Sequence, residues 1–134
     1  MKTIKEIANL SYDKSEENKE YSLTKWYNDL LDKIPDDISV EDVGLMLRQN
    51  VAVELGVNKA IEMIEENPVV GEKYEGEIVS ALASLDEIPD GVKNKIRVLI
   101  PYIISYADNY DWELNDFKKE FLQDVKILQG KVGL

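Results

Sequence analysis

The chain has 134 residues, the size of one ordinary domain, and its 27 acidic against 16 basic side chains leave a formal net charge of −11. That charge repels phosphate backbones and anionic lipid headgroups, which argues against nucleic acid or a membrane surface as a direct ligand. The absence of cysteine and histidine removes disulfides, thiolate nucleophiles, Cys/His zinc sites and the usual imidazole base, while 44% hydrophobic and 32% charged residues suit a soluble chain that folds alone.

In chain order, Thr3-Ile4-Lys5-Glu6 is a capping box that predicts a short first helix reaching Leu10. Residues 11–20 are polar, have no apolar stripe and are expected to be a loop. Ser22 can cap a second helix whose Leu23, Trp26, Tyr27, Leu30, Leu31 and Ile34 recur at helical spacing, with Pro35 ending it. Ser39 then caps a third helix, with Glu41 and Asp42 in the first turn and Val43, Met46 and Leu47 inward. Asn50 suits a left-handed helix end, and Arg48 could pair with a local carboxylate such as Glu77.

The spacing predicts a fourth helix over 52–66, in which Gly56 marks a close helix approach, stopped by Asn67-Pro68. Residues 69–75 read as a loop and 76–85 as a fifth helix. A sixth spans 90–106 with Pro101 inside it, and a seventh spans 113–129 on Leu114, Phe117, Phe121, Val125 and Leu128. Trp26, Phe117 and Phe121 are expected in the core. The fold class is therefore all-α, a single-domain bundle of about seven helices over 1–134 with short connections. The first ten residues lack the apolar core of a signal peptide, and the longest apolar run falls short of the ~20 residues that span a bilayer, so a cytoplasmic location is expected.

No phosphate-binding glycine loop or dinucleotide fingerprint occurs, and the stretch from Asp108 to Glu113 lacks the glycine and the terminal glutamate of a calcium loop. No catalytic residue, metal, cofactor or small-molecule substrate is expected. The charge is informative by position: residues 36–90 hold 14 acidic side chains against 3 basic, the whole −11, and the remainder balances. Within that segment Glu62, Glu65 and Glu66 lie on one helix, and Glu72, Tyr74, Glu75 and Glu77 surround one loop. A charge run of this kind is most often a solvated face, and a carboxylate site for a hard cation is the sharper alternative. Tyr74 suits an interface anchor as well as it suits a tyrosine folded under its own loop.

The segment Ser39-Val40-Glu41-Asp42-Val43-Gly44-Leu45-Met46-Leu47-Arg48-Gln49-Asn50, followed by Asn67-Pro68-Val69-Val70-Gly71-Glu72-Lys73-Tyr74-Glu75-Gly76-Glu77, resembles the immunity proteins of bacterial contact-dependent growth inhibition systems, the CdiI type. The resemblance covers the central third of the chain. It implies a non-enzymatic cytoplasmic antidote that binds the C-terminal toxin domain of a cognate effector and blocks its active site, with nucleases, RNases first, as the favoured toxins. A basic nuclease would meet the acidic segment directly, which makes Glu72, Tyr74, Glu75, Glu77, Glu62, Glu65 and Glu66 the expected toxin-binding residues. An acidic helical adaptor and a metal-dependent carboxylate enzyme are the competing functions.

Overall fold

The structure, a computed structural model, describes residues 1–14 and 22–134. Among the described residues all regular structure is helical: α1 (Ile4–Ile7), α2 (Leu23–Leu31), a 3₁₀ turn over Pro35–Asp37, α3 (Val40–Arg48), α4 (Val53–Glu66), α5 (Glu77–Ala83), α6 (Asp90–Asn109) and α7 (Asn115–Lys131). The all-α expectation is met. Of the loop expected over 11–20, residues 11–14 are non-helical and the rest lies outside the described residues.

Local chemistry accounts for most boundaries. Thr3 and Glu6 exchange hydrogen bonds at the start of α1, which stops short of the expected Leu10 because Asn9 turns left-handed at φ 53°. Ser22 Oγ accepts from the Lys25 amide to open α2, which ends before the expected Ile34, and Pro35 begins the 3₁₀ turn instead. Ser39 and Asp42 form a reciprocal capping box on α3. Asn50 takes the left-handed conformation at φ 55° between α3 and α4. A Cβ on Gly56 would sit 3.3 Å from Leu47 Cδ2, so α3 and α4 do approach closely there. Pro101 lies within α6, which runs to Asn109, past the expected Tyr106.

The short helix α5 is the centre of the packing. Six of its seven residues, Glu77 among them, are buried, and it contacts α3, α4 and α7. An element enclosed on this many sides must be apolar almost all round, as Ile78, Val79, Ala81, Leu82 and Ala83 are. α6 lies across α4 and α7 and contributes Val92, Ile96, Ile100 and Ile103 to one contiguous buried cluster. Lys131 Nζ, near the end of α7, donates to the Ala83 and Leu85 carbonyls where α5 terminates. A cation placed on terminal carbonyls ties those ends together.

One buried carboxylate organises the other end. Asp42 accepts from Trp26 Nε1 at 3.0 Å, Lys33 Nζ at 2.6 Å and the Ser39 amide at 3.0 Å, which fastens α2 and the 3₁₀ segment to α3. Burial alone would raise its carboxyl, but these donors outweigh it and hold Asp42 below the usual carboxylate range. Among the described residues no helix is long and apolar enough to cross a membrane.

Candidate functional site

The loop between α4 and α5 is built on internal hydrogen bonds before it presents anything outward. Asn67 Oδ1 accepts from the Val69 amide, Val69 O accepts from the Gly76 amide at 2.8 Å, and Val70 O accepts from the Ile78 amide. Glu77 then closes it from beneath. Its Oε1 accepts from the Glu72 amide at 2.8 Å and the Lys73 amide at 3.0 Å, and its Oε2 accepts from Arg48 Nη2 at 2.7 Å. Burial pushes the Glu77 carboxyl up, yet the Arg48 guanidinium and the two loop amides overcome that and keep it below the usual range.

This arrangement changes the role of one expected contact residue. Glu77 is 2% exposed, and both carboxylate oxygens have internal partners, so it supports the loop and does not face outward. Glu72, Tyr74 and Glu75 are exposed around it, Tyr74 by 52%. Two glycines make the bend possible. A Cβ on Gly71 would stand 1.9 Å from the Tyr74 carbonyl oxygen, and Gly76 has φ +86° with the Phe121 ring 2.6 Å from where a Cβ would lie.

Beside the loop, between it and α7, runs a groove of about 650 Å³. Gly76 and Phe121 line it at the point of their contact, Tyr74 and Glu75 belong to its loop wall, and Phe117, Glu120 and Asp124 to its α7 wall. Phe117 is 40% exposed and is not the core residue its spacing suggests. Sequence reasoning missed Glu113, just before α7, and Glu120 and Asp124 on it, because all three lie in the charge-balanced part of the chain. Only the packing of α7 on α5 brings them beside the acidic loop.

A run of aromatic rings links this groove to the other expected cluster. Tyr102 and Tyr106 of α6 and Tyr110 just past its end follow one another at centroid spacings of 6.4 and 5.6 Å, and Trp112 continues the run to Phe121 at 4.8 and 5.3 Å. At one end the Tyr102 hydroxyl donates to the Glu65 carbonyl at 3.3 Å, beside the exposed Glu62, Glu65 and Glu66 of α4. Near the other, burial raises the Tyr110 phenol and a hydrogen bond with Glu75 raises it further. The two acidic clusters are therefore bridged by the last turns of α6 from Tyr102, about 12 Å of helix, and by Tyr110 at its C-cap. Among the described residues no group of three or more acidic side chains is disposed to hold a metal ion.

Residues 6–95 match the family of CDI immunity proteins, CDI being contact-dependent growth inhibition. The chain belongs to that family. The match confirms the resemblance carried by the α3 segment and the loop after α4, and it makes this an immunity protein for a CDI toxin, which it binds as a cognate partner. Comparison with curated proteins returns no match. The segment shared with the family runs from α1 into α6, so it contains the loop wall of the groove, while the α7 wall lies after residue 95.

Proposed function

We propose that this immunity protein neutralises a basic nuclease toxin, an RNase first among them, by laying an acidic and aromatic surface over the toxin's active site in the cytoplasm. The chain performs no chemistry of its own. The observation that carries this reading is the bridged surface: Glu62, Glu65 and Glu66 at one end, Glu72, Tyr74 and Glu75 at the other, and Tyr102, Tyr106 and Tyr110 between them. Nuclease domains need positive surface to hold phosphates, and a carboxylate-rich face competes for that surface. Tyrosine supplies contact area at low entropic cost, and the Glu77 latch orders the loop before binding, so little further ordering is required on association.

Charge then acts chiefly on speed. Complementary potentials raise association rates toward ~10⁸–10⁹ M⁻¹s⁻¹ at low salt, which suits an inhibitor that must capture a delivered toxin before it turns over. The test is co-expression with the cognate toxin domain. The wild-type chain should protect cells and co-purify with that domain, and Glu72→Lys with Glu75→Lys should weaken protection. If the double variant protects as well as wild type at matched expression, the acidic loop is not the inhibitory surface.

A further inference from the structure

The groove between the α4–α5 loop and α7 has features that steering by a charged face does not require. Three large apolar side chains line it while exposed to solvent, Tyr74 by 52%, Ile127 by 45% and Phe117 by 40%. Four carboxylates share the lining with them, Glu75, Glu113, Glu120 and Asp124, against the single basic residue Lys73. Among the described residues none of those four forms an ion pair. The volume of about 650 Å³ falls in the range of ligand pockets, about 300–1,000 Å³, and exceeds what one side chain needs.

Aromatic rings beside uncompensated carboxylates specify a chemistry. A planar guanidinium stacks on a ring face and bonds a carboxylate with two parallel N–H groups, which an ammonium cannot do. We infer that the groove is the seat of an arginine-bearing segment of the toxin domain, its guanidinium stacked on Phe117 or Tyr74 and paired with Glu120 or Asp124. This rests on the toxin-binding reading above and adds to it the site of deepest contact and the chemistry of the occupant. Asp124 supports it independently of the charge count. Burial and the neighbouring Glu120 raise its carboxyl against the opposing Ser80 hydrogen bond, so the free protein holds a carboxylate that a bound cation would relieve.

The experiment measures affinity and dissociation rate for the cognate toxin domain against wild type, Phe117→Ala, the pair Glu113→Lys/Glu120→Lys, and a charge-matched control, Asp36→Lys/Asp37→Lys, on the exposed 3₁₀ turn. Melting curves confirm that each variant is folded. Both groove variants should lose about tenfold or more in affinity, mainly through faster dissociation, while the control loses less than about threefold. Tight wild-type binding with groove variants within about twofold of it overturns the inference and leaves the acidic-surface reading standing. If wild type fails to bind, both fall. The arginine chemistry is read separately by amide NMR: millimolar acetyl-arginine amide should shift Gly76, Glu120 and Asp124, and the neutral citrulline analogue should not. Equal shifts from both probes, or none from either, overturn it.

Discussion

Replacing Glu77 by glutamine tests whether the loop after α4 is held from inside. The native carboxylate accepts three hydrogen bonds, from Arg48 Nη2 and from the Glu72 and Lys73 amides, at 2.7, 2.8 and 3.0 Å. Glutamine can keep its carbonyl on the two amides, but its NH₂ then faces the guanidinium, donor against donor. The charge-assisted bond is lost and a buried donor opposes a partly buried one, a cost of about 2–3 kcal/mol. The Arg48 side chain is 31% exposed and can recover water, which keeps the cost below that of a fully enclosed pair. For a chain of this length that is roughly 6–15 °C in Tm, at roughly 3–5 °C per kcal/mol. Denaturant unfolding gives the free energy directly, and Arg48→Ala with the double variant closes a cycle in which the two changes should be markedly non-additive. A Glu77→Gln protein within about 0.5 kcal/mol of wild type, or strict additivity, would refute the latch.

Three other outcomes follow from the same geometry. Asp42 and Glu77 have folded-state values below their unfolded ones, so their contributions are complete above the unfolded carboxylate range of about 4 and fade as pH falls through the folded values; Asp42→Asn should therefore flatten acid unfolding below about pH 4. Asp124 carries the opposite sign, because a raised carboxyl makes its charged form a burden on the native state at neutral pH. Asp124→Asn should raise Tm at pH 7, with the gain vanishing at pH 3, and should weaken toxin binding. Gly76→Ala combines a strained φ with a Cβ 2.6 Å from the Phe121 ring and should destabilise by about 2–4 kcal/mol in denaturant titrations.

Much of the fold is encoded locally, and those parts are legible. The Ser39–Asp42 box, the left-handed Asn50, the Gly56 contact and the pairing of Arg48 with Glu77 each depend on residue types whose demands are specific. Helix lengths are less so. Asn9 ends α1 early, and nothing local stops α6 at Tyr106, where Asn109 Nδ2 donates to the Ser105 carbonyl and the helix continues. The candidate surface was half legible. Charge counting marks Glu72 and Glu75, but it also counts Asp42 and Glu77, which are buried and matched by Lys33 and Arg48. Conversely, Phe117 follows the apolar stripe of α7 yet lies in the groove, because burial depends on which helix covers that stripe, and α5 is too short to cover all of it.

The most direct test of the central claim is the rate at which the chain associates with its cognate toxin domain, followed by stopped flow across a range of ionic strength. The wild-type rate should fall steeply as salt rises, and Glu72→Lys/Glu75→Lys should slow association at low salt by about tenfold and flatten the dependence. The same rate and the same slope for both proteins would contradict an acidic inhibitory surface on this immunity protein.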